Sequence, residues 1–192
     1  MSNPSINIPL TAASKDQLEL MLAQAETYLN IQINVGMAAD QRALVFAGFI
    51  AGAAVAVGGG ATTLLVIGKH LFLGYLGFAA VIGLLFSLGL SIHAARPVPF
   101  EYAGNSPSEW LADVAAGKTI EQSMREQASH YAGMIDRNNE TLSKNCKYLR
   151  WSQLVALWTL SIGGLIVMVY FVVGDLGIIP DATAPRISND QI

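Results

Sequence analysis

The sequence predicts an all-α membrane protein: three transmembrane helices, further cytoplasmic helices at the N-terminus and in the centre, and a helical-bundle oligomer as the assembled form. Three observations predict it. Only 13% of the 192 residues are charged, where a soluble domain carries about 25%. The deficit is concentrated in the stretches 43–68, 71–92 and 151–174, which contain no Asp, Glu, Lys or Arg. Each of these exceeds the roughly 20 apolar residues a helix needs to cross about 30 Å of hydrocarbon, and helix is the structure that satisfies its own backbone in lipid.

The N-terminal segment, 1–42, precedes the first span. Ser14-Lys15-Asp16-Gln17 reads as a capping box that starts a helix. Leu18, Met21, Leu22, Ala25, Tyr28, Leu29 and Gln32 follow at helical spacing, which predicts an amphipathic helix of about six turns. It can run directly into the first span, with Gly36 as a possible bend. A cleavable signal is not expected, because Lys15 is the sole basic residue of the first forty and no early apolar run follows it.

The two-span hairpin occupies 43–92. The first stretch is longer than one crossing requires, so the span is placed at 43–66. Gly58-Gly59-Gly60 is then a loosened turn or a close helix contact, and Lys69-His70 closes the segment. The connection to the second span is very short, which predicts an antiparallel pair. Gly48 and Gly52 form a small-xxx-small pair, and Gly74, Gly77, Gly83 and Gly89 line the second span; small residues let helix backbones approach in lipid.

The segment 93–150 is a linker followed by helices. Pro97, Pro99, Gly104 and Pro107 break the second helix. Ser106 and Pro107 suit the cap and first position of a short helix carrying Trp110, Leu111 and Val114, ended by Gly117. Thr119 then caps a long helix. Met124, Ala128, Tyr131, Ile135, Asn138, Leu142, Asn145 and Leu149 alternate by four and three residues along it. This is a heptad seam, with Asn138 and Asn145 as polar positions that fix register. Two readings stay open: an oligomer seam carried by Tyr131, Ile135, Asn138, Leu142 and Asn145, or a helix folded back on the chain's own N-terminal helix. No breaker separates this helix from the third span at 151–174. An external tail, 175–192, completes the chain.

Nine of the eleven Lys and Arg fall in the N-terminal and central segments. Basic loops stay on the cytoplasmic side, so the N-terminus is expected inside and the C-terminal tail outside.

The sequence carries no constellation expected of an enzyme. His70, His93 and His130 share no metal-binding spacing, the single Cys146 has no partner, and no nucleophile elbow or phosphate loop occurs. No metal or cofactor is expected. The spans lack an internal charge, which argues against a coupled transporter but is compatible with a pore lined by hydroxyls, backbone or a hydrophobic gate. Thr62, Thr63, Ser87, Ser91, Thr159 and Ser161 are the available hydroxyls, although such side chains often bond back to their own helix. Arg125, Arg137, Lys144 and Lys147, with His130 and Tyr131 among them, have two readings: topology signals, or a site for a nucleotide or single-stranded oligonucleotide, which needs phosphate neutralisation and base stacking.

The layout resembles the small transmembrane effectors of bacterial anti-phage nucleotide-signalling systems: the Pycsar transmembrane effectors, the SLATT proteins and the Hailong-type membrane effector. The matching features are the amphipathic N-terminal helix, the lead-in Ala38-Ala39-Asp40-Gln41-Arg42-Ala43, the tight hairpin, the cytoplasmic helical segment and the turn Tyr102-Ala103-Gly104-Asn105-Ser106-Pro107-Ser108-Glu109-Trp110. The third span departs from the two-span pattern and is similar to the Hailong type. The resemblance covers most of the chain and is one of layout; no family motif fixes ligand residues here. It implies an oligomeric inner-membrane channel, with a tetramer the favoured homo-oligomer, controlled by a nucleotide or oligonucleotide that a partner nucleotidyltransferase makes. Opening would depolarise the inner membrane of an infected bacterium, with the tail on the periplasmic side. The alternatives are a non-conducting anchor or scaffold for a cytoplasmic partner, and a membrane-disrupting protein with no defined pore.

Overall fold

The computed structural model describes residues 12–68, 70–104 and 106–175. These form four helices, with no strand among the described residues: α1 (Lys15–Ile67), α2 (Leu71–Ala94), α3 (Pro107–Ala115) and α4 (Ile120–Asp175). α1, α2 and α4 are each long and apolar enough to cross a membrane. Lys69 and, apart from its first residue, the tail expected over 175–192 lie outside the described residues.

Local sequence sets the helix ends. The Ser14 N–H donates to Gln17 Oε1 at 2.9 Å, and Ser14 Oγ accepts from the Gln17 N–H at 3.3 Å, the reciprocal capping box that starts α1. Thr119 and Gln122 repeat it before α4, at 3.0 and 3.3 Å. Ser106 caps α3, with Pro107 in its first turn. Gly117, at φ 67°, follows the end of that helix in the left-handed conformation that glycine adopts without penalty.

Gly36 does not interrupt α1, which runs through it as one helix of 53 residues. Its missing side chain instead admits the Phe100 ring, which would lie 2.7 Å from a Cβ at this position. Gly58, Gly59 and Gly60 are all helical, and of the two readings of the triplet the close helix contact is met at Gly58, where a Cβ would lie 3.5 Å from Val81 Cγ2. Intrahelical hydrogen bonding inside an apolar segment outweighs the glycine propensity cost of about 1 kcal/mol per residue.

Contacts divide the chain into two units, one of residues 1–48 and 89–151, the other of 49–88 and 152–192. In the first, α1 and α4 run parallel: Ala13 meets Arg125, Glu26 meets Tyr131, and Gln32 meets Ile135 and Asn139. Leu29, Tyr131 and Met134 form the core, with Leu22, Ala25, Ala103 and Ile135 packed against it. The heptad face of α4 thus turns onto the chain's own α1. Tyr131 and Asn138 are buried there at 2% exposure each, so a seam between copies resting on those two residues is set aside. On α1, Met21 and Tyr28 lie on the exposed side of the amphipathic face, while Leu18, Leu29 and Gln32 are buried.

In the second unit the hairpin closes through glycine. A Cβ at Gly77 would lie 2.7 Å from Ala61 Cβ, and one at Gly74 would lie 2.5 Å from Leu65 Cδ2. Gly83 admits Thr159 of α4. Ser87 and Ser152, both fully buried, exchange hydrogen bonds: Ser87 Oγ donates to the Ser152 carbonyl at 2.8 Å and Ser152 Oγ to the Ser87 carbonyl at 2.7 Å. Hydroxyls of this kind hold membrane helices together because the alternative partner is hydrocarbon.

Candidate functional site

The first unit places a polar network beside its apolar core. Its central residue is Asn138. Asn138 Nδ2 donates to Gln32 Oε1 at 3.2 Å and to the Glu101 carbonyl at 2.9 Å, and Oδ1 accepts from the Glu101 N–H at 3.1 Å. Gln32 Nε2 donates to the Ile135 carbonyl at 3.1 Å and to Asn139 Oδ1 at 2.9 Å. One amide therefore fixes the register of two parallel helices and pins the backbone of the linker between α2 and α3. Tyr131 holds the same linker further on: its hydroxyl accepts from the Gly104 N–H at 3.0 Å and donates to Glu26 Oε1 at 3.2 Å.

Arg137 clasps Glu101 from the outside with two parallel hydrogen bonds of 2.5 and 2.6 Å, the fork geometry that guanidinium and carboxylate share. The Arg137 hydrogen bond holds the Glu101 carboxyl below its ordinary range, and the charges of Arg137 and His130 lower it further. A lowered carboxyl stabilises the fold above its unfolded pKa of about 4.3 and loses that contribution as pH falls through the lowered value. Glu101→Gln should therefore melt below wild type at neutral pH, with the gap closing in acid. Melting curves in detergent across that range test it; a gap that does not change with pH would rule out the clasp.

The structure distributes the six expected anion-site residues among different partners. Arg137 is held by Glu101, Lys144 pairs with Glu140 at 2.7 Å, and Arg125 pairs with Glu121 at 3.7 Å and reaches the Ala13 carbonyl. Tyr131 is buried, so its ring offers no stacking face. His130 lines a cleft of about 350 Å³ with Trp110, Glu109, Asp113 and Glu126, and Lys118 bridges two of those carboxylates at 3.0 and 2.6 Å. Among the described residues, Lys147 has no ion pair, and it is exposed. Carboxylates near in sequence or space thus hold Arg125, Arg137 and Lys144, but not Lys147. Of the remaining seam positions, Ile135, Leu142 and Asn145 are half-buried.

The second unit contains an apolar groove of about 470 Å³ lined by α1, α2 and α4, including Gly60, Ala61, Gly77, Gly163 and Gly164. Thr159 and His70 are its polar members, and His70 Nδ1 lies 3.0 Å from the Tyr170 hydroxyl. Of the expected pore or packing residues, Gly74, Gly77 and Ser87 are packing residues within this unit. Thr62 and Thr63 are exposed and donate to the Gly58 and Gly59 carbonyls of their own helix at 2.8 and 2.9 Å. Gly48 and Gly52 are exposed, and nothing within 4 Å would meet a side chain at either.

The sequence reading missed Gln32, Glu101 and Phe100 as partners in the linker clamp. Gln32 carried a signal, being a polar residue in an apolar stripe. Glu101 and Phe100 carried none, since a proline-flanked linker has no periodicity.

These features define an all-helical protein with three helices able to span a membrane. Comparison with family models, curated proteins and solved structures finds no match.

Proposed function

We propose that the chain is a non-catalytic, homo-oligomeric inner-membrane effector that forms an ion pore in anti-phage defence, gated on the cytoplasmic side by a nucleotide or oligonucleotide signal. The observation that carries the pore is the outward stripe of α1. Gly52, Val55, Ala56, Gly59, Thr62 and Thr63 are exposed at successive turns, and a Cβ added at Gly52 or Gly59 would meet nothing within 4 Å. Leu, Phe and Val cover most lipid-facing positions elsewhere on the spans. Apart from Val55 this face carries small and hydroxyl residues, which are poor lipid contact and good helix contact, and its backbone and hydroxyl groups suit the lining of an ion path. Within one copy Ser87 and Ser152 are committed to each other and Ser91 to the Ala43 carbonyl, so the path is assigned to the junction between copies.

The gating reading follows from the resemblance of layout and from the Arg137–Glu101 clasp. A phosphate group competing for Arg137 would release Glu101, whose backbone Asn138 holds against α1 and α4. A ligand at Arg137 would thus alter the linker. Burial of Tyr131 and Asn138 of the heptad face against the chain's own α1 supports the pore over a scaffold docked through that face.

Purified protein in planar bilayers should conduct ions. Gly52→Leu, at an exposed position where an added Cβ meets nothing within 4 Å, should fold as wild type and abolish the current. A membrane that stays ion-tight with nucleotides, oligonucleotides and no ligand would overturn the pore.

A further inference from the structure

The described cations fall into two sets. Lys15, Lys118, Arg125, Arg137 and Lys144 each have a carboxylate partner. Among the described residues, Arg42, Arg96, Lys147 and Arg150 have none, and all four are exposed. The unpaired set is not scattered. Arg42 immediately precedes the first span, Arg96 follows the second, and Lys147 and Arg150 precede the third.

Contacts within the first unit bring these three helix ends to one level. Ser91 Oγ donates to the Ala43 carbonyl at 2.7 Å, which sets the end of α2 beside the residue after Arg42. The His93 and Tyr148 rings meet edge to face at 4.5 Å, which sets the same end of α2 beside the α4 turn that carries Lys147 and Arg150. Trp151, 54% exposed, extends the layer with an aromatic of the type that settles at headgroup depth. The carboxylate nearest to Arg42 in sequence is Asp40, two residues earlier on the same helix, a spacing at which side chains do not face each other.

We infer that Arg42, Arg96, Lys147 and Arg150 form a belt that binds the headgroups of anionic phospholipids. The positive-inside rule asks only for basic loops. The structure adds that five other cations are neutralised internally, while four cations from three helix ends are left unpaired beside the apolar segments. All four are exposed there, where a headgroup phosphate can reach them. The belt holds whether or not the assembled protein conducts.

The test uses the full chain in lipid nanodiscs. Native mass spectrometry of protein released from mixed phosphatidylglycerol and phosphatidylcholine should find phosphatidylglycerol retained in excess, with the excess falling at high salt. Each of Arg42→Gln, Arg96→Gln, Lys147→Gln and Arg150→Gln should lower that preference about fivefold. Lys144→Gln, which removes a cation already paired with Glu140, should leave it unchanged. Equal retention of the two lipids by wild type would overturn the belt, and this arm needs no variant to fold. An equal loss in Lys144→Gln would reduce the effect to net charge and overturn it too. Binding of ATP in neutral nanodiscs that depends on the four cations, without any lipid preference, would overturn the lipid assignment in favour of a free phosphate.

Discussion

Asn138→Ala should destabilise the first unit by on the order of 2–4 kcal/mol. The side chain is 2% exposed and makes three hydrogen bonds, two to the backbone of Glu101 and one to Gln32. Truncation removes these partners together. The Glu101 N–H and carbonyl and the Gln32 amide oxygen then lose their protein partners, and each unmet group costs about 1–3 kcal/mol if water cannot reach it. Asn145→Ala is the control: it removes the other polar residue of the same seam at a half-buried position, and its cost should stay within about 0.5 kcal/mol. Thermal unfolding in detergent and the rate of proteolysis between residues 97 and 104 should move together in Asn138→Ala. If both variants melt alike and the linker stays protected, Asn138 does not clamp it.

The second large effect is Gly77→Ala. The added methyl would lie 2.7 Å from Ala61 Cβ and 3.5 Å from Ala61 Cα, so α1 and α2 must separate. Overpacking of this kind costs about 1–3 kcal/mol. Gly74→Ala meets the Leu65 side chain, at 2.5 Å from Cδ2, and the Ala61 carbonyl oxygen at 3.3 Å; the side chain can rotate, and the carbonyl contact asks for a shift of only a few tenths of an ångström. Gly77→Ala should therefore lower the melting midpoint more than Gly74→Ala. Gly48→Ala, where nothing lies within 4 Å, should leave the monomer's stability unchanged. The reverse order between Gly77 and Gly74 would show that the hairpin does not close at Ala61.

Much of this fold was legible in the chain for local reasons. The helix starts at Ser14, Ser106 and Thr119 were readable because a cap is a contact between residues two or three apart. The three spans were readable because hydrocarbon excludes charge over a whole segment, which no single residue can disguise. Gly36 and the triplet at 58–60 were ambiguous for the same reason: glycine weakens a helix in water, but in these positions the surroundings decide. The candidate site was less legible. Arg137 and Lys144 are plain in the sequence as cations, but Glu101 is 36 residues from Arg137, and no spacing rule connects them.

The sequence by itself determined the helical class, the number of apolar segments, and the heptad with its polar position at Asn138. These depend on periodicity and on the free energy of placing groups in lipid, both of which act along the chain. Tertiary structure alone decided what the heptad faces, which cations remain unpaired and which glycines are filled. Those outcomes depend on pairings between residues far apart in sequence. Gln32 accepts from Asn138 because α1 and α4 run parallel in one register, and Gly77 is a close contact because Ala61 lies opposite it. Periodicity names a face of a helix, but the neighbour on that face is set by the packing of the whole unit.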